Sequence, residues 1–218
     1  DSCIVTHQLI SREERVSSTR GLVCVHNHRN APLRLVNIQR WMRYSRLVLN
    51  AEKVDVLANG GTVALLPDLL ACGTEIGCRV SLRTDATSPP RDLAAAKAAG
   101  LWDLLLCPSS LKDATFRKWL VEAHAADVPV RLELAWAALN DETVPLLATL
   151  AMDFGIRHVS IVPVDAFATT DEPPAHRDIT ALVPSLIRQL ETNGTEVSVH
   201  ALPFCSVDEG VWPNLLNS

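Results

Sequence analysis

The chain has 218 residues, 48% of them hydrophobic, with 20 basic and 25 acidic side chains and a formal net charge of −5. That length suits one domain of about 100–250 residues, and the apolar content excludes a disordered chain. No basic patch dominates, which sets nucleic acid aside as a partner, and no apolar run approaches the ~18 residues of a membrane span.

The chain opens on Asp1 and not on Met, so the lack of a signal peptide carries little weight, and a native N-terminus lying upstream is compatible with it. Of the six cysteines, Cys3, Cys24, Cys72, Cys78, Cys107 and Cys205, most sit inside apolar periodic segments, where the residue behaves as a small hydrophobe. They do not read as a disulfide framework, and a reducing cytoplasm is the expected compartment.

Residues 1–19 read as an N-terminal arm or edge strand. From there short apolar runs alternate with amphipathic ones. The strand candidates are Leu22–His26, Val54–Ala58, Arg79–Thr84, Asp103–Cys107, Val130–Leu134, His158–Pro163 and Glu196–Ala201, each rich in Val, Ile and Leu as a doubly buried strand should be. The helix candidates between them are Leu33–Asn50, Pro67–Ile76, Pro90–Ala99, Lys112–Ala126, Asp141–Phe154 and Asp178–Thr192. Gly77, Gly100 and Gly155 stand where C-caps belong, and Asn140 where an N-cap belongs. The polar stretch 166–177 reads as a loop, and the tail 203–218 as irregular.

This βα rhythm demands parallel strands with right-handed crossovers. The expectation is a single α/β domain over residues 20–202, a partial TIM-like barrel of six or seven βα units. A complete eight-unit barrel typically needs ~250 residues.

The segment from Asn59 to Thr87 resembles the second and third βα units of the radical S-adenosylmethionine (radical SAM) enzymes. Gly60 and Gly61 match the glycines of that family's Gly-Gly-Glu-Pro turn. Pro67 and Asp68 match the start of the following helix, and Thr84 matches its third turn. The stretch from Gly100 to Ser109 looks like the fourth strand, ending near a Ser, and Asn140-Asp141-Glu142 followed by Gly155 looks like the helix between the fifth and sixth strands. The resemblance covers roughly residues 20–200 and implies a cofactor-binding set of Gly60, Gly61, Thr62, Thr84 and Ser109.

The departures are as informative. The family holds a [4Fe–4S] cluster on three cysteines spaced C-x3-C-x2-C after the first strand. Here Cys24 stands near the first position, and His28 and Ala31 occupy the other two. Thr62 replaces the acid that meets the amino group of S-adenosylmethionine, and Val63 replaces the Pro. The resemblance therefore implies a retained scaffold without the iron–sulfur cluster.

Other constellations stand beside it. Cys24, His26 and His28 alternate, so on a strand they share one face, and a thiolate with two imidazoles suits Zn²⁺ or another divalent metal. Two solvated imidazoles at a strand end are the plainer reading. Arg83, Asp85, Ser109, Ser110, Glu133, Trp136, Asp165 and His200 fall at strand ends, the default ligand-contact set of a parallel barrel. Asp85 and Asp165 are the candidate paired carboxylates, although an Asp in such a loop more often caps a helix. Arg83 and Glu133 fit equally an internal ion pair. Cys205 reads as a packed thiol, His7, His124, His158 and His176 as structural, and the arginines of the first helix as a solvated face.

Three functions follow as expectations. The first is a pseudoenzyme subunit or binding module supporting peptide or natural-product modification, with an active enzyme subunit, a peptide or a small molecule as partner. The second is a metal-dependent hydrolase or lyase on Cys24, His26 and His28, with Asp165 or Asp85 as base. The third is a domain binding S-adenosylmethionine or another small molecule on the glycine turn.

Overall fold

The structure, a computed structural model, describes residues 5–8, 19–24, 35–57, 66–87, 92–163, 180–200 and 209–216. Among the described residues six helices alternate with the strands β2 to β8, and strand order in the sheet follows chain order from β1 to β9. This is the expected α/β class, with the topology of a partial TIM-like barrel. The chain divides into two compact units, Asp1–Thr84 with Pro90–Leu104 and Ala125–Val128, and Asp85–Pro89 with Leu105–His124 and Pro129–Ser218.

The first unit holds β1 (Val5–Gln8), β2 (Thr19–Cys24), α1 (Leu35–Leu47), β3 (Ala51–Leu57), α2 (Leu66–Ile76), β4 (Arg79–Thr84), α3 (Leu93–Ala98) and most of β5 (Leu101–Leu106). The arm contributes β1, an edge strand antiparallel to β2, while β2, β3 and β4 run parallel. β2 begins three residues before the expected start, and the expected end at His26 lies outside the described residues.

Helix α2 decides which sheet face is which. It buries Leu66, Leu69, Leu70 and Cys72, and its Gly73 lies against Val80 of β4. Val80 and Leu82, together with Val54 and Val56 in register on β3, therefore form the helix-facing side. The alternate positions, Lys53, Asp55, Ser81 and Arg83, belong to the opposite, inner face. Gly77, at φ 66°, closes α2 in the left-handed conformation expected of a C-cap glycine.

The second unit holds the end of β5, most of α4 (Ala114–Ala125), β6 (Val130–Ala135), α5 (Thr143–Phe154), β7 (His158–Val162), α6 (Val183–Thr192), β8 (Glu196–His200) and β9 (Leu215–Leu216). Strands β6 to β9 are parallel. Leu132, Val159 and Val197 align across the sheet, as do Leu134, Ile161 and Val199, and all are buried. The tail read as irregular supplies a 3₁₀ turn, Glu209–Asn214, and then β9 beside β8. Asn214 Nδ2 donates to Val197 O at 3.0 Å and to Glu191 Oε1 at 2.9 Å, which ties the turn to β8 and α6.

Candidate functional site

Each unit carries polar side chains on its inner sheet face. In the first unit these are Lys53 and Asp55 on β3, Ser81 on β4 and Asp103 on β5, all buried. Lys53 Nζ donates to Asp103 Oδ2 at 2.5 Å. Asp55 aligns with Ser81 in register, and Ser81 Oγ has no hydrogen-bond partner among the described residues. Burying charge in a protein interior is costly without such pairing.

In the second unit the inner face is a polar lattice two strands wide and more. Arg131, His158 and Glu196 align across β6, β7 and β8, and Glu133, Ser160 and Ser198 align two residues further along. Alternation adds His200 at the end of β8. Hydrogen bonds, two of them diagonal, link four of these groups. Ser198 Oγ lies 3.2 Å from His158 Nε2, Ser198 Oγ donates to Ser160 Oγ at 3.2 Å, and Ser160 Oγ lies 2.8 Å from His200 Nε2. Beside this row, the Cys107 thiol donates to Glu133 Oε1 at 3.8 Å. The C-terminal strand ends of this unit thus present His200, Glu133 and Cys107, an imidazole, a carboxylate and a thiol, which can bind or exchange protons with a polar ligand.

Several strand-end candidates take local roles. Asp85 Oδ1 accepts from the backbone N–H of Thr87 at 3.1 Å and from its hydroxyl at 3.0 Å, so it forms a turn just past β4. Thr84, the last residue of β4, is buried, whereas Ser109 is exposed. Ser110 Oγ accepts from Lys112 N at 3.2 Å. Lys112 Nζ meets Glu142 Oε2 at 2.9 Å, and that bond holds the Glu142 carboxyl below its usual range. Cys24 closes β2, in register with Leu57. Gly60, Gly61, Thr62, His26, His28, Asp165 and Cys205 lie outside the described residues. Among the described residues no cluster of three His, Cys, Asp or Glu side chains could hold a metal ion. No described helix is long and apolar enough to cross a membrane.

Sequence reasoning named His200 and Glu133 but missed Ser160, Ser198 and the linkage to His158. The available signal was period-two polarity: His158 and Ser160 alternate on β7, and Glu196, Ser198 and His200 on β8. The same alternation in Glu52-Lys53-Val54-Asp55-Val56 marks Lys53 and Asp55.

No protein-family model matches the sequence, and no curated protein matches it. Solved structures do. SuiB of Streptococcus suis bound to S-adenosylmethionine superposes with a TM-score of 0.58 at 14% identity, over 77% of this chain and 42% of SuiB. A second SuiB structure gives 0.59 at 13% identity, over 87% of this chain and 44% of SuiB. SuiB bound to its precursor peptide SuiA gives 0.58 at 13% identity, over 76% and 40%. The chain thus spans less than half the length of SuiB. SuiB is a radical SAM enzyme, and the fold of this chain is radical-SAM-like.

Proposed function

We propose that this chain is a radical-SAM-like barrel without an iron–sulfur cluster, working as a non-catalytic subunit or binding module in peptide or natural-product modification, in the cytoplasm. The donor set Cys24, His28 and Ala31 carries the reading. A [4Fe–4S] cluster of this family needs three thiolates, and the positions at that spacing are Cys24, His28 and Ala31. One thiolate, one imidazole and a methyl group do not fit the cluster.

The glycine pair Gly60-Gly61 matches in sequence the turn on which the family seats S-adenosylmethionine, while Thr62 replaces the acid that meets its amino group. S-adenosylmethionine is the small molecule this reading favours, held more weakly than where the acid is present. The likeness in fold to SuiB, crystallised with a precursor peptide, supports a peptide as the second ligand.

Anaerobic purification followed by iron and sulfide analysis tests the proposal. The expected result is iron well below one per chain, and about four irons per chain overturns it. Calorimetry with S-adenosylmethionine then separates a ligand-binding module, which gives a binding isotherm, from a purely protein-binding one, which gives none.

A further inference from the structure

We propose that His158, Ser198, Ser160 and His200 form a proton relay along the inner face of the second unit, with His200 as its exchanging terminus at the C-terminal strand ends. This goes beyond the function proposed above and does not depend on it.

The geometry comes from strand register. Ser160 and Ser198 are direct partners across β7 and β8, whereas His158 is level with Glu196 and His200 lies beyond the last β7 pairing. Each imidazole therefore reaches a serine diagonally, and the row climbs about four residues, ~13 Å at the rise of a parallel strand. Ser160 and Ser198 are buried and both imidazoles are half-buried.

Proton counting gives the row a direction. Ser198 has one hydroxyl proton, and in the arrangement where that proton goes to Ser160 the bond to His158 runs from the imidazole Nε2–H. Ser160 in turn gives its proton to His200 Nε2. When a proton arrives at Nδ1 of His158, the Nε2–H proton passes to Ser198, the Ser198 proton to Ser160, and the Ser160 proton to His200 Nε2. Three N–H or O–H bonds break and three form. His158 is left neutral, and His200, now cationic, releases its Nδ1 proton to an acceptor at the strand ends. One proton enters, one leaves, and no electrons move.

Protonating His200 first has the converse effect. Its Nε2–H must then donate to Ser160, whose hydroxyl turns to Ser198, whose hydroxyl turns to His158. His158 accepts only by losing its own Nε2 proton to the Nδ1 position. Keeping the old direction would strand the buried Ser160 hydroxyl proton without an acceptor in the row, which an interior penalises. The charged groups level with the row are Arg131 and Glu196 beside His158 and Glu133 beside Ser160.

The test is long-range ¹H–¹⁵N spectroscopy of the histidine rings in the full chain, titrated from pH 8.5 to pH 5. As His200 gains its proton, the Nε2 resonance of His158 should move from the protonated toward the unprotonated range with the same midpoint. In Ser160→Ala that shift should be lost while the fold, read from the backbone amide spectrum, is kept, and Ser198→Ala serves as the second interruption. A His158 Nε2 resonance unmoved through the His200 transition in the unaltered chain overturns the relay. So does a shift that persists in both serine variants.

Discussion

Lys53 and Asp103 meet across the inner face of the first unit although β4 lies between their strands in the sheet. Both are buried, so each neutralises a charge that would otherwise face a medium of low polarisability. The pair is therefore more costly to break than it is useful to have. Lys53→Met should lower unfolding stability by about 3–5 kcal/mol, because it removes one half of a buried ion pair. Adding Asp103→Leu should recover a large part of that loss. Urea denaturation of both variants checks this, and a single-variant cost under ~1 kcal/mol would mean that water reaches the site.

A second relationship sets how closely α2 approaches the sheet. A Cβ on Gly73 would run into the Cγ2 methyl of Val80 and stand 3.1 Å from the Cys78 carbonyl oxygen. In an open helix the change from Gly to Ala is favourable by roughly 0.5–1 kcal/mol. Here overpacking should reverse the sign, and Gly73→Ala should destabilise by about 1–3 kcal/mol. In Val80→Ala the same substitution should cost much less, so a double-mutant cycle should show favourable coupling between the two changes. Additive effects would place the strain elsewhere.

The start of α5 offers a third prediction. Asn140 Oδ1 accepts from the backbone N–H groups of Glu142 and Thr143, both at 2.9 Å, and Asn140 N donates to Thr143 Oγ1 at 2.7 Å. Asn140→Ala should cost about 0.5–2 kcal/mol, whereas Asn140→Ser should keep most of the stability. Equal urea midpoints for the two variants would show that the cap contributes nothing of its own.

That cap was legible in the sequence, and so was the order of elements, because both depend on local chemistry. Asn before a helix and Gly at a positive φ after one act within four or five residues, and Gly77, Gly100 and Gly155 all take left-handed or positive φ values. β4 lies at its predicted limits for the same reason. The inner faces were harder to read. The strands were expected to be apolar on both faces, yet Lys53, Asp55, Asp103, Ser160 and Ser198 are buried polar groups. Ser198 meets Ser160 across 38 residues of chain, and Lys53 meets Asp103 across 50. Only register and sheet order bring them together. In the sequence His158 reads as structural, because a strand start is the wrong end for a barrel site. Its link to His200 passes through two serines that carried no signal beyond alternation.

The last prediction concerns alkaline stability. The Cys78 thiol, buried at the end of α2, is pushed up to about 11, mainly by burial, which the Arg46 charge partly offsets. Its Sγ lies 3.7 Å from the Ala51 carbonyl oxygen, in position to donate its proton. Below pH 9 the thiol is protonated both folded and unfolded, so its contribution is fully present. Between about pH 9 and 11 the unfolded chain ionises this thiol while the folded chain does not. The unfolded state then binds fewer protons, and stability falls as pH rises. Burial raises Cys72 as well, which adds a loss of the same sign. Cys78→Ala should therefore show a shallower fall in urea midpoint between pH 9 and 11 than the unaltered chain. Both curves should be parallel from pH 7 to 8.5. Parallel curves across the whole range would mean that the folded thiol ionises as readily as the unfolded one, and that its burial is not maintained in solution.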